Sequence, residues 1–512
     1  MAIVSTPEER TEKLIMDRVE PRLVPITTPK VALFVAHGMG QQLPFQTLDE
    51  VAQGLLREAE RRGRNAGAVR VENVQIGATR TQRVEIDLRD ISGDAVEVHL
   101  YEGYWAPITE GRVSIRDVMA FLARAGGNGL LNFLHPFQRW MFGRFRSFGH
   151  QKTGWALILA LLVVFTLVVF NALAATYGIQ RLLGQETLAL SDDRFRILTT
   201  LVGGLSGLTV GFGLLLMTLL RVRPAQPSQS LMWRLLNACA AAVFWLWAGT
   251  IASGGVLTIV AFWRPAALVP YVCPLLAEGW LAVWAVLIVA SYAVRTIMVQ
   301  FPGDVAAYVA THTLDRFSDI RSRIKKTVLQ HLQAVYEAPE GYEAVVVAGH
   351  SLGSVVAYDA LNALMVGDAL GTTDLRVVQR TRLLLTFGSP LDKTAFIFAA
   401  QGRRTTAIRE AAAASLQPLI LHYSPYRTIK WINIHAKRDI VSGPLNFYDV
   451  PDTPCPPGVI NLVDPDALVP LVAHVEYWKN PLLFQTLYAH LTSAAGAARS
   501  SATVAAMEAT IA

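Results

Sequence analysis

The residues best suited to chemistry stand where an apolar run ends. Residues 344–348 read Ala-Val-Val-Val-Ala, and residues 349–353 complete a Gly-x-Ser-x-Gly pattern around Ser351. The β-branched run predicts a buried strand, and the amphipathic residues 354–365 predict a helix. The sharp turn between them would expose the serine hydroxyl, and flanking glycines would avoid clashes with neighbouring backbone. The pattern therefore predicts a nucleophile, with the N-terminus of the helix and the Leu352 N–H facing the negative charge that develops.

Other reactive side chains follow predicted strands. An apolar run at 31–36 leads into the His-Gly-Met sequence at 37–39, and Asp439 follows a second strand-like run at 431–435. His474 lies further along the chain. Alternation of strands and helices predicts an α/β sheet, in which active sites lie at the carboxyl ends of strands. We therefore expect these groups to meet the serine at one edge of the sheet.

Each group has a distinct expected role. A serine hydroxyl becomes a strong nucleophile only when a base takes its proton, and His474 is the predicted base. Asp439 is the predicted acid, which would hold the imidazole tautomer and stabilise the imidazolium. Asp392 is its strongest rival, because it also follows a predicted strand. His435 lies in a predicted strand and His490 in a predicted helix, so both are weaker alternatives for the base. Further alternatives are Asp464, Asp466 and His422.

These motifs resemble those of the α/β-hydrolase superfamily, in particular its lipases and esterases. The pattern at 349–353 looks like their nucleophile elbow, the His-Gly pair after the first strand looks like their oxyanion loop, and the chain order Ser, Asp, His is similar. The resemblance covers about residues 30–105 and 304–490. It implies that the backbone N–H groups of Met39 and Leu352 hold the oxyanion. The residues that support the motifs are His37, Gly38, Gly349, His350 and Gly353.

The composition changes between these two regions. Hydrophobic residues make up 52% of the chain and charged residues only 17%, which is too apolar for an ordinary soluble enzyme and indicates membrane spans. The predicted spans are residues 154–178, 197–220, 235–258 and 276–296, the last of which contains Glu278. Both flanks must meet in one site and therefore lie on one side of the membrane, so an even number of crossings is expected.

The predicted fold class is an α/β-hydrolase sheet, mostly parallel, that is split in sequence by an all-α transmembrane insertion of about four helices. The N-terminal part of the hydrolase domain would occupy residues 1–150 and the insertion 151–300. The C-terminal part would occupy 301–495, followed by a flexible tail at 496–512. Arginines that flank the spans predict that the hydrolase domain and both termini are cytoplasmic.

The expected activity is hydrolysis of a carboxylic ester through an acyl-enzyme, and a place in the lipid bilayer would favour a lipid-like ester. A thioesterase or amidase with the same triad is the alternative enzyme. A membrane transporter or scaffold with a degenerate hydrolase domain is the non-catalytic alternative. No metal, other cofactor or nucleic-acid partner is expected, because zinc-ligand spacing and a nucleotide-binding glycine loop are missing from the sequence. Arginines beside the spans account for the net charge of +6. The oligomeric state is left open.

Overall fold

The computed structural model describes the parts of the chain that build one large sheet, its helices and the loops at its edge. The described residues are 28–39, 42–64, 67, 69–76, 79–89, 92–114, 116–123, 137–141, 144–148, 162, 164–166, 168, 171, 285, 288, 289, 291, 292, 304–306, 308, 315–394, 429–439, 441–448, 458–466 and 472–493.

Strands and helices lie on both sides of residues 151–300 in the sequence. The described strands are β1 (Lys30–Ala36), β2 (Val69–Ile76), β3 (Thr79–Arg89), β4 (Ala95–Gly103), β5 (Phe137–Met141), β6 (Arg144–Phe148), β7 (Ala344–His350), β8 (Thr381–Phe387), β9 (Lys430–Ala436) and β10 (Ile460–Asp464). The described helices include α1 (Gln46–Arg61), α2 (116–123), α3 (Asp315–Tyr336), α4 (Leu352–Ala369), α5 (Val377–Arg380) and α6 (481–493). Short 3₁₀ turns include Val472–His474 and Glu476–Lys479.

Eight strands form one mixed sheet in the order β10-β9-β8-β7-β1-β4-β3-β2. Neighbouring strands are parallel from β10 to β4, and β3 and β2 continue the sheet in antiparallel pairing. The central pair, β1 and β7, joins the two flanks of the chain directly. Ala36 lies opposite Gly349 in this pair, so the end of β1 meets the turn that follows β7.

Apolar cores cover both faces of the sheet. Ala32 and Phe34 of β1 face the core that α3 and α4 complete, whereas Leu33 and Val35 face the core that α1 and α6 complete. Successive strand residues point to opposite faces, so a continuous apolar run is what a strand covered on both sides requires. The central strands are therefore held on both faces, and their carboxyl ends carry the loops of the candidate site. Strands β5 and β6 form a separate two-stranded sheet.

The predicted fold class is wrong in its transmembrane part. The predicted spans at 154–178, 197–220, 235–258 and 276–296 lie almost entirely outside the described residues. No helix in the part of the chain that the structure describes is both long enough and apolar enough to cross a membrane. A charge-free run satisfies the length that a span needs, but crossing also requires one continuous apolar helix, which run length alone does not establish. The corrected fold class is a mixed eight-stranded α/β sheet, and none of the described helices could form the predicted all-α transmembrane insertion.

Several sequence predictions fall on residues that the structure does not describe. Residues 1–27 and the tail at 494–512 lie outside the described residues, as do Gly40 and His422. The cytoplasmic position of both termini therefore stays a prediction.

Candidate active site

Ser351 occupies the turn between β7 and α4, with φ 52° and ψ −129°. A positive φ is uncommon for a residue other than glycine, and such strain concentrates at functional sites. The Ser351 N–H donates to the Phe387 carbonyl oxygen at 3.0 Å, which ties the turn to β8. A Cβ at Gly349 would lie 2.5 Å from the backbone of α4, and one at Gly353 would lie 2.1 Å from a carbonyl oxygen just after β1. The two glycines therefore allow the close backbone approach that the turn needs.

The predicted nucleophile, base and acid lie in hydrogen-bond contact. His474 Nε2 is 2.7 Å from Ser351 Oγ, and His474 Nδ1 is 2.9 Å from Asp439 Oδ2. All three side chains are buried. An ionised carboxylate can only accept a hydrogen bond, so His474 Nδ1 must be protonated and donate to Asp439. The lone pair of Nε2 is then free to accept a hydrogen bond from the serine hydroxyl. This is the tautomer and geometry that a general base requires.

Asp439 is held in its ionised form. Burial by itself would raise the pKa of this carboxyl, but the hydrogen bond and charge of His474, with help from Lys393, hold the pKa well below its usual range. The Val441 N–H donates to Oδ1 at 2.7 Å, and the Tyr477 hydroxyl donates to Oδ2 at 3.0 Å. The carboxylate can therefore stabilise an imidazolium without taking its proton.

His350 packs against the ring of His474. The two ring centroids are 5.2 Å apart with an interplanar angle of 30°. His350 Nε2 donates to the His474 carbonyl oxygen at 3.0 Å. Burial, and then the neighbouring His474, lower the pKa of His350 to about 3. The stacked ring thus stays neutral near neutral pH, so it adds no positive charge beside the imidazolium that catalysis would form.

His37 organises the loop after β1. Its Nε2 accepts the backbone N–H groups of Trp105 at 2.9 Å and Ala106 at 3.3 Å, so Nδ1 carries the proton and donates to the Gly38 carbonyl oxygen at 2.8 Å. Burial lowers the pKa of His37 to about 4, which keeps this tautomer neutral. Its ring stacks on Trp105 at 4.8 Å. A Cβ at Gly38 would lie 2.9 Å from the Cβ of Ser351, so the loop rests directly against the nucleophile.

The two backbone N–H groups predicted to hold the oxyanion belong to Leu352 and Met39. Leu352 is the first residue of α4, and the first N–H groups of a helix have no acceptor within it. Met39 is buried in the loop that rests on Ser351. The assignment of these two N–H groups to the oxyanion stays a prediction.

The rival side chains have other surroundings. His435 is buried within β9, and His490 Nδ1 donates to the Thr486 carbonyl oxygen within α6. Asp464 Oδ1 accepts the N–H of Asp466, two residues further on. Because the Nδ1 proton of the base is already donated to Asp439, no second carboxylate is needed to orient the imidazole.

The described residues contain one group that could hold a metal ion, formed by Glu85, Glu97 and His99, whose ligand atoms lie within 4.8 Å of one another. Cationic side chains already occupy these carboxylates. Arg83 contacts Glu85 at 2.5 Å and Arg70 contacts it at 3.0 Å, and Arg70 also lies 3.8 Å from Glu97. The group is therefore an ion-pair network on β2, β3 and β4, not a candidate metal centre.

Sequence reasoning missed several polar side chains that support the site. Tyr477 contacts the acid, and Ser442 Oγ lies 2.9 Å from the Tyr477 hydroxyl. Ser354 Oγ donates to the Ser351 carbonyl oxygen at 2.5 Å and is 2.6 Å from Ser389 Oγ. Ser354 could have been found from the sequence, because it stands in the first turn of the helix that follows the motif. The other contacts arise from folding and leave no local pattern.

Comparisons of the chain with protein-family models, with curated proteins and with solved structures found no match.

Proposed function

We propose that this chain is a serine hydrolase, similar to the α/β-hydrolases, that cleaves carboxylic esters through an acyl-enzyme. The hydrogen-bonded series Ser351–His474–Asp439 is the observation that carries the proposal. A nucleophile, a base in the right tautomer and an ionised acid are the minimum set for this chemistry.

The first half of the reaction transfers the acyl group to the enzyme. His474 Nε2 takes the Ser351 proton while Oγ attacks the carbonyl carbon, and Asp439 stabilises the imidazolium. The N–H groups of Leu352 and Met39 would donate to the oxyanion of the tetrahedral intermediate. When this intermediate collapses, His474 gives the proton to the departing alkoxide, and an acyl-serine ester remains.

The second half releases the acid. A water molecule gives a proton to His474 Nε2 and attacks the acyl carbon, and collapse of the second intermediate returns the proton to Ser351 Oγ. A thioester or amide would follow the same steps with a thiol or amine as the leaving group.

An apolar acyl group is the proposed substrate feature. Leu43 and Phe45, which shortly follow the oxyanion loop, are 70% and 43% exposed, and Val475, which directly follows the base, is 51% exposed. Large exposed apolar side chains on the segments that carry site residues are consistent with a surface that receives an apolar partner. This observation favours esters of medium or long acyl chains, including lipid-like esters.

Labelling with a fluorophosphonate tests the nucleophile. The wild-type protein should be labelled on the peptide that contains Ser351, and Ser351→Ala should lose both label and ester hydrolysis, by at least about 10³-fold. Ser318→Ala, an exposed serine on α3, is the matched control and should behave as wild type. An unlabelled wild type, or a folded Ser351→Ala variant that still hydrolyses esters, would reject the proposal and favour a non-catalytic role.

A series of p-nitrophenyl esters tests the substrate class. If the acyl chain is bound by apolar surface, kcat/KM should rise with chain length from C2 to C8, by up to about fourfold per methylene. A matched thioester and amide series would rank the leaving groups. A flat or falling profile would contradict the apolar preference and leave the triad chemistry standing.

A further inference from the structure

The hydroxyl of Tyr477 stands at the centre of the acid's surroundings. Tyr477 is fully buried, three residues after His474, in the turn Glu476–Lys479. Its oxygen lies 2.8 Å from the Ala436 N, 3.0 Å from Asp439 Oδ2 and 2.9 Å from Ser442 Oγ. One phenol thus connects the segment of the base, the end of β9 and the loop of the acid.

The direction of each of these hydrogen bonds follows from the groups involved. A backbone N–H can only donate, and an ionised carboxylate can only accept. The single phenol proton therefore goes to Asp439, and the Ala436 N–H donates to the phenol oxygen. The Ser442 hydroxyl lies beside both the phenol and the Asp439 carboxylate. Burial, and then the charge of Asp439, raise the pKa of Tyr477 well above its usual range, so the phenol keeps this proton.

The phenol and the base share one carboxylate oxygen. Asp439 Oδ2 accepts both from His474 Nδ1 and from the Tyr477 hydroxyl, and Oδ1 accepts from the Val441 N–H. Donors on both oxygens prevent the carboxylate from rotating about its Cβ–Cγ bond. The second donor on Oδ2 also takes part of the negative charge that would otherwise act on the imidazole alone.

We propose that Tyr477 is a positioning residue that holds Asp439 in line with His474, an inference that rests on the proposed function. The phenol does not touch the reacting atoms and acts through the carboxylate. Because Tyr477 and His474 belong to consecutive turns, any shift of the base segment carries the phenol with it. The hydrogen bond from Tyr477 to Asp439 therefore maintains the position of the acid relative to the base.

Tyr477→Phe removes the hydroxyl and keeps the ring that packs against His350 at 5.9 Å. We expect kcat to fall by about tenfold to a hundredfold with KM nearly unchanged, as for a small misplacement of catalytic groups. Tyr488→Phe is the matched control, because it removes another buried tyrosine's hydrogen bond, to the Arg89 carbonyl oxygen, away from the triad. The control should lose stability to a similar extent and keep its kcat.

A double-mutant cycle with Asp439→Asn separates positioning from general damage. If Tyr477 acts through Asp439, then Tyr477→Phe should cause little further loss in the Asp439→Asn background. Additive losses, or an unchanged kcat in folded Tyr477→Phe, would overturn the inference.

A spectroscopic measurement keeps the test independent of turnover. The proton between His474 Nδ1 and Asp439 should give a low-field proton NMR resonance in the folded protein. Tyr477→Phe should move this resonance, and Tyr488→Phe should not. If the wild type hydrolyses no ester, the proposed function fails, and the resonance still decides the role of Tyr477: an unmoved resonance in Tyr477→Phe overturns it.

Discussion

At the scale of single residues, the site depends on which atoms carry protons. His474 donates from Nδ1 and accepts at Nε2, and Asp439 is ionised beside it. His350 and His37 are buried and neutral, with their protons committed to backbone carbonyl oxygens. Of these imidazoles, only that of His474 lies between a carboxylate and the Ser351 hydroxyl.

Substituting the acid should be severe without unfolding the protein. Asp439→Asn keeps the shape of the side chain but allows the amide to donate to Nδ1, which favours the wrong imidazole tautomer. We expect kcat to fall by about 10⁴-fold. Asp392→Asn, the rival carboxylate, serves as the control and should remain within a few-fold of wild type. Steady-state kinetics on folded variants measures both, and a damaging Asp392→Asn beside a mild Asp439→Asn would contradict the assignment.

The buried His435 should make stability depend on pH. Burial, with the charge of Lys437, lowers the pKa of His435 to about 4 from the ordinary value of 6.5. Between pH 4 and pH 6.5, His435 is protonated in the unfolded chain and neutral in the folded protein. Protonation of His435 therefore costs no stability above pH 6.5. As the pH falls from 6.5 towards 4, it lowers the free energy of unfolding by about 1.4 kcal/mol per pH unit.

His435→Gln should reduce this slope. Urea unfolding at several pH values between 7.5 and 4.5 gives the free energy of unfolding for wild type and variant. The difference between their slopes should approach about 1.4 kcal/mol per pH unit below pH 6 and vanish above pH 7. Parallel curves over the whole range would show that His435 is not buried in its neutral form.

At the scale of elements, the turn between β7 and α4 depends on close contact between the backbone of α4 and the backbone at the end of β1. The first turn of α4 passes so close to the end of β1 that a side chain at Gly353 would meet the carbonyl oxygens of Ala36 and His37. The same approach brings the loop after β1 against Ser351. Element packing and site geometry therefore depend on the same glycines.

Gly353→Ala should be strongly destabilising. The added Cβ would lie 2.1 Å from the His37 carbonyl oxygen and 2.4 Å from that of Ala36, and backbone atoms cannot move aside as a flexible side chain can. We expect a loss of more than about 3 kcal/mol in the free energy of unfolding, measured by denaturant titration. Gly443→Ala is the matched control, because nothing lies within 4 Å of its Cβ position. Equal effects of the two substitutions would contradict the close approach.

At the scale of the whole molecule, the sheet is stabilised by helices on both faces, and the site lies along its edge. Helix α6 follows directly after the base and Tyr477, and its residues Leu483, Leu487 and Leu491 are buried against the sheet and α1. The end of the chain's described part therefore contributes to the core and anchors the segment that carries the base.

Leu487→Ala should lower stability and leave the chemistry intact. Removing a buried leucine side chain costs about 2–5 kcal/mol, and Leu487 belongs to the apolar core on the α1 and α6 face of the sheet. Leu370→Ala is the control, because Leu370 is 73% exposed and the same substitution there should change stability by less than about 0.5 kcal/mol. Thermal unfolding and kcat at a temperature where both variants are folded measure the two effects. A large fall in kcat for folded Leu487→Ala would show that the core and the site are coupled more tightly than expected.

The local elements were readable from the sequence. Apolar runs predicted strands at 31–36 and 431–435, and the structure has β1 at Lys30–Ala36 and β9 at Lys430–Ala436. The amphipathic pattern predicted a helix over 354–365, and α4 spans Leu352–Ala369. Periodicity predicts these segments correctly because each must bury one face or both faces. The spacing of its apolar side chains indicates which faces are buried.

The sequence also identified Ser351 as the candidate nucleophile, because the strand, turn and helix around it are consecutive in the chain. It ranked Asp439 above Asp392 as the acid, but the pattern could not exclude Asp392, since both follow predicted strands. The length of the apolar runs likewise predicted a transmembrane insertion, but no described helix is long and apolar enough to cross a membrane. In each case, local composition was compatible with more than one arrangement in space.

Tertiary structure alone brings together groups that are far apart along the chain. Ser351 and His474 are 123 residues apart, and His474 and Asp439 are 35 apart, yet both pairs are within hydrogen-bond distance. The three bonds of the Tyr477 hydroxyl have no local pattern for the same reason. Parallel strand pairing carries the loops after β7, β9 and β10 to one edge of the sheet, so these contacts depend on strand order, which residue types along the chain do not encode locally.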